Sequence, residues 1–226
     1  MHKKQKIYTT GGLFSILSSI CQLIMGLCIM LQPIISQDGK INLFLTNMSK
    51  NSTFFILSYL CLALIGIFGL GTVEAVTSYL GLEDNQLVRW SQKLAYISFA
   101  VLSVANFRAL TAKPAMAGVY TSATALKKEI ILTIDPYISF SPNGIVVYGF
   151  LGIWIALVSL FSFKKDQFRA CNIIGLILGI VYIVVSIPYL PLPIVAVCNI
   201  AKGVLAFLWF GLLGLYMLKK INRISI

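Results

Sequence analysis

Histidine is all but missing from this chain: one residue among 226, His2, at the amino terminus. Bis-histidine haem ligation and a buried serine–histidine pair are therefore excluded, and no HExxH metal motif occurs. Acids are scarce as well, seven in all. Asp38, Asp84, Asp135 and Asp166 fall in predicted loops, so two carboxylates do not face each other within a bilayer as a membrane aspartyl protease requires. Glu83 and Asp84 are sequence neighbours, which on a helix point apart, and the pair reads as a solvated turn. The five cysteines (Cys21, Cys28, Cys61, Cys171 and Cys198) are odd in number and lack a CxxC pair. Neither a disulfide framework nor a zinc site is supported; in apolar surroundings they read as small buried hydrophobes. Gly66, Gly69 and Gly71 lie inside an apolar run and do not match a phosphate loop. No cofactor or metal is expected.

Charge itself is sparse. Only 11% of residues are Asp, Glu, Lys or Arg, against roughly a quarter in a soluble domain, and the mean hydropathy is +0.90. Four long stretches carry no charge: Ile7–Gln37, Asn51–Val73, Pro136–Phe163 and Ala170–Ala201. About 20 apolar residues cross the ~30 Å hydrocarbon layer as a helix, and a helix satisfies its own backbone in lipid. The alternation of a membrane barrel is absent. These features specify an all-α integral membrane protein. The net charge of +11 sits mostly at the ends of apolar runs, where it sets topology and meets anionic lipid. No basic segment is long enough to form a nucleic-acid groove, so no nucleic-acid partner is expected.

Six spans are predicted, at about 11–35, 52–76, 91–112, 144–163, 170–189 and 194–218, in a single transmembrane domain covering 1–226. The first has the basic start of a signal peptide, but its apolar part is too long for one and no cleavage site follows. With both ends inside, Lys and Arg number eleven on the cytoplasmic side and six outside, with Lys202 within the last span. This bias predicts an N-in/C-in six-transmembrane-helix bundle. The long outer loop, about 112–143, repeats Met116, Val119, Ala123, Leu126, Ile130 and Ile134 at three- and four-residue steps, an amphipathic helix lying on the outer surface or capping the bundle. Asn47-Met-Ser and Asn51-Ser-Thr are formal glycosylation sequons.

Within this frame a few polar residues stand out. Glu74 follows 23 uncharged residues and reads either as an interfacial carboxylate paired with Arg89 or Lys93, or as a cation or proton ligand beside Gly66, Gly69 and Gly71. In the outer half, Asn106 and Arg108 near the end of the third span could join Asn199 and Lys202 near the start of the sixth. Together they would form an anion or lipid-headgroup pocket, with Tyr137 and Tyr189 at similar depth. The depth of Lys202 depends on where the last helix begins. A start at Asn199 leaves the lysine within reach of the headgroups, and this is the favoured reading. A start at Ile194 sinks it about 12 Å and demands a partner. Gly175 and Gly179 form a GxxxG, suited to packing within the chain or to a homo-oligomer.

The segment GFLGIWIALVSLFSFKKDQFRACNIIGLILGIVY, Gly149–Tyr182, is a span, a short basic turn and a glycine-containing span ending in tyrosine. It resembles the C-terminal half of small multi-pass bacterial membrane proteins classed as domains of unknown function. That turn often carries a proline in the family, and Lys164–Arg169 has none. The resemblance implies about six helices and a bacterial inner membrane, and no catalytic residues. The expected function is non-enzymatic binding of a lipid or hydrophobic partner in the cell membrane. The alternative is a small transporter or channel subunit for an ion or small solute, and the third a lipid-modifying enzyme, for which an acid–base set is missing.

Overall fold

A computed structural model describes residues 2–31, 41–138, 144–163, 168–187 and 190–224. Among them every regular element is helical: α1 (His2–Leu31), α2 (Ile41–Lys50), α3 (Thr53–Tyr79), α4 (Gln86–Ser122), α5 (Ala125–Ile138), a π-helical turn (Ile145–Gly149), α6 (Phe150–Phe163), α7 (Arg169–Val185) and α8 (Leu192–Ile224). Five segments are long and apolar enough to cross a membrane: Gln5–Leu31, Thr53–Tyr79, Gln86–Ser122, Ile145–Phe163 and Pro193–Lys219. The apolar helix Arg169–Val185 falls short of that length, at 17 residues.

Chain reversals follow from local chemistry. At the end of α3, Gly81 adopts φ 63°. That left-handed step lets the Leu82 amide bond the Thr77 carbonyl at 3.0 Å and the Gly81 amide bond that of Ser78 at 3.1 Å, closing the helix as a Schellman turn. Four residues on, the Asn85 side chain accepts from the Leu87 and Val88 amides, each at 3.1 Å, and caps α4.

Six helices form a closed ring in which each packs on the next: α1, α3, α4, α6, α7, α8 and back to α1. Successive members are antiparallel. Tyr8 near the start of α1 bonds the Ser78 carbonyl near the end of α3. The Tyr79 hydroxyl bonds the Tyr216 carbonyl near the end of α8. Phe168, just before α7, lies 4.6 Å ring to ring from Tyr216. The start of α1, the end of α8, the 80–85 turn and the start of α7 thus share one end of the bundle, here the basic end.

Small residues let the backbones approach, as they do wherever water cannot drive helix association. A side chain on Gly214 would come within 2.8 Å of the Gly12 carbonyl, and one on Gly179 within 2.8 Å of the Gly152 carbonyl. Ser15 and Ser19 add interhelical hydrogen bonds to the Phe210 and Phe207 carbonyls at 2.6 and 2.8 Å. A ring of six helices encloses axial space, and Phe99, Trp154, Trp209 and Phe210 fill it, all within 1% of full burial and 4.9–6.5 Å apart, edge to face.

Two expectations change. Residues 112–143 do not hold one amphipathic helix after a span that stops at 112. α4 runs unbroken through Pro114 for 37 residues, about 55 Å; the chain bends at Ala123–Thr124 and α5 begins at Ala125. The apolar repeat is shared between two helices because it keeps phase across the bend. Beyond the ring, α4 meets α2 in a second small core of Phe44, Leu45, Met48, Phe55, Ala117 and Tyr120, with Ile131 and Leu132 of α5 against it. The second change concerns α8, which begins at Leu192, ahead of both predicted starts.

Candidate functional site

Three prolines surround the start of α8, yet two of them do not delay it. The Pro191 carbonyl accepts from the Ile194 and Val195 amides at 3.0 and 3.1 Å, and Pro193 occupies the first turn, where its missing N–H has no partner to lose. Lys202 is consequently ten residues into the helix. Its distance from the basic end follows by counting. Tyr216, level with Phe168, is fourteen residues further on, about 21 Å along the axis. Tyr182 is fourteen residues past Phe168 on α7 and reaches the same height. α7 ends at Val185, whereas α8 continues outward by about 10 Å more.

At that height the ammonium of Lys202 is half-buried and has two neighbours. It donates to Asn199 Oδ1 at 2.9 Å, one turn back on its own helix. It also lies 3.9 Å from the centroid of the Tyr148 ring, a close cation–π contact. Tyr148 stacks in turn on Tyr182, 5.5 Å between centroids. Tyr148 belongs to the π turn, a feature that recurs at functional sites. The turn opens with the Gly144 carbonyl accepting from the Val147 and Tyr148 amides, and Ser98 of α4 fixes it by donating to the Val147 carbonyl at 2.6 Å. Beside the lysine, no atom lies within 4 Å of the position a Gly203 side chain would occupy. Among the described residues no carboxylate pairs with Lys202. The arrangement can hold an anion: the lysine has three donors, one is used, and its charge is unneutralised.

The other residues singled out from sequence are placed differently. Asn106 is buried, with its amide bonded to the Leu102 carbonyl of its own helix at 2.7 Å. Arg108 is exposed. Both stand on α4, which packs against α2, α3 and α6, whereas α8 packs against α1 and α7. No hydrogen bond joins either to Asn199 or Lys202 among the described residues. Glu74 is exposed near the basic end and makes no ion pair with Arg89 or Lys93. The neighbouring glycines do not open a cavity for it. Gly66 and Gly69 are filled by Phe99 and Ser103, and Gly71 by Phe14. Tyr137 and Tyr189 lie outside the residues whose side chains are described. Gly175 faces Ser159 and Trp209, and Gly179 faces Ala156 and Gly152, all within the chain.

Sequence reasoning missed Tyr148 and Tyr182. A cation–π partner 54 positions away leaves no periodic trace. The available signal was that Tyr182 counts to the same height as Lys202 when both are measured from the basic turn. Comparison with protein-family models, with curated proteins and with solved structures returns no match for this chain.

Proposed function

We propose that this is a membrane protein of six spans that binds the anionic head group of an acyl lipid at Lys202, Asn199 and Tyr148. Its termini face the cytoplasm. Lys6, Arg89, Lys93, Arg169 and Lys219 all fall at the basic end, the arrangement expected of an inner face. The resemblance in Gly149–Tyr182 favours a bacterial inner membrane.

The observation that carries the reading is an ammonium about 21 Å from the basic end with no acid among the described residues to neutralise it. If the basic-end aromatics mark one edge of a ~30 Å hydrocarbon layer, Lys202 lies about 9 Å inside the other. A cation there costs several kcal/mol unless it finds partners. Asn199 and the Tyr148 face supply part of that compensation. A phosphate or carboxylate at the head of an acyl chain supplies the rest. Among the described residues no acid–base partner accompanies the lysine, which favours binding over turnover. The four rings fill the axis of the bundle, which favours binding over conduction.

The test is native mass spectrometry and thermal denaturation of the purified chain in neutral detergent, with phosphatidic acid or phosphatidylglycerol titrated in. Wild type should retain anionic lipid and gain thermal stability. Lys202→Met and Tyr148→Leu should lose most of that gain, and Tyr148→Phe should keep it, because the ring face survives. A Lys202→Met variant that keeps the full gain would falsify the proposal.

A further inference from the structure

The opposite end of the bundle carries a second polar feature with a different balance of charge. Where α1, α3 and α4 meet, a cavity of about 390 Å³ is lined by Glu74, Ser78, Glu83, Arg89, Gln92 and Tyr96, among others. One wall is anionic: Glu74 projects from the last turns of α3, and Glu83 comes from the turn that follows. Glu83 is held in place by Ser78, whose hydroxyl donates to its Oε1 at 2.6 Å. The facing wall belongs to α4, with Arg89, Gln92 and Tyr96 on successive turns of one face.

Glu74 and Arg89 share this cavity without closing on each other, and Arg89 makes no side-chain ion pair or hydrogen bond among the described residues. A carboxylate and a guanidinium that line one space and stay apart leave Glu74 available to a cation and Arg89 to an anion. Glu74 is five residues before the end of α3, about 7–8 Å toward the midplane, so the cavity reaches from water to the depth of lipid head groups.

We infer that this cavity is a binding site for a zwitterion carrying a primary ammonium and a phosphate a few ångströms apart. Glu74 receives the ammonium, and Arg89, with its fixed fork of donors, receives the phosphate. Quaternary amines fit less well, because they have no N–H to donate to the Glu74 carboxylate. The site is separate from Lys202 and does not depend on it.

The experiment uses the full chain in neutral detergent, as wild type and with Lys202→Met so that anionic lipid at the other end contributes nothing. Phosphatidylethanolamine, phosphatidylglycerol and water-soluble O-phosphoethanolamine are each added while thermal denaturation is followed. At a hundredfold excess over Kd, an ammonium-bearing ligand should raise Tm by about 5 °C or more. Glu74→Gln, which keeps the side-chain shape, and Arg89→Ala should each remove at least half of that rise. A rise with phosphatidylethanolamine alone identifies a lipid as the ligand, and an equal rise with O-phosphoethanolamine identifies a free solute; either supports the site. Equal shifts with phosphatidylglycerol and phosphatidylethanolamine, or shifts untouched by both substitutions, overturn it.

Discussion

Lys202 is the residue on which the interior of this protein turns, because its charge is only partly compensated. Removing it should reveal the cost: Lys202→Met is expected to melt higher than wild type in the absence of lipid, since an apolar chain replaces a cation in an apolar layer. The serines offer a cleaner comparison, because identical chemistry meets different surroundings. Ser15 donates to the Phe210 carbonyl across the α1–α8 contact, whereas the hydroxyl of Ser162 is buried with no hydrogen-bond partner among the described residues. Ser15→Ala should cost about 1 kcal/mol, and Ser162→Ala should be neutral or stabilising, because an unmet hydroxyl is a penalty rather than an asset. Unfolding in mixed micelles would measure both.

Among the helices, what the sequence shows and what it hides divide along a physical line. Helix identity is written in the apolar runs, so the cores of the predicted spans coincide with α1, α3, α4, the π turn with α6, α7 and α8. Helix ends are written poorly. Pro191 and Pro193 are compatible with a turn or with a first helical turn, since neither needs an amide donor there. The repeat from Met116 to Ile134 cannot reveal its own bend at Ala123–Thr124, because two helices in phase look like one. Glycines likewise show close packing without naming the neighbour. Gly179→Ala should destabilise by about 1–3 kcal/mol, because the new methyl meets the Ala156 amide and the Gly152 carbonyl at 2.7–2.8 Å. Gly118→Ala, with nothing within 4 Å, should stabilise α4 by up to about 1 kcal/mol. The opposite signs are the outcome to measure.

For the molecule as a whole, charge placement carried information that periodicity did not. Lys and Arg counts divide the connections into a more and a less basic set, and the structure gathers the 80–85 turn and the start of α7, both of the more basic set, at one end. Ring closure between α1 and α8 was not legible, because the serine-to-carbonyl bonds that help to fasten it link residues almost 200 positions apart. The proposed sidedness predicts how single cysteines react with a membrane-impermeant maleimide, in a Cys198→Ser background. Asp84→Cys and Lys219→Cys should label only in inverted vesicles, and Lys50→Cys and Thr124→Cys only in intact cells. Labelling of Asp84→Cys and Thr124→Cys from the same face would refute that topology.

The helices of the ring are of unequal length, and a bilayer around the proposed six-span bundle must respond to that. The π turn with α6 spans 19 residues and α7 spans 17, whereas the membrane segments of α1, α3 and α8 each span 27. On one flank the apolar wall is thus some 25–28 Å tall, and on the others about 40 Å. Lipid beside the short flank must compress while lipid opposite stretches or the bundle tilts, at a fraction of a kcal/mol per ångström of mismatch. The chain therefore carries a lopsided elastic footprint. It should partition toward thinner bilayers and draw short-chain or defect-tolerant lipids to the α6–α7 side, the side on which Tyr148 and Lys202 meet.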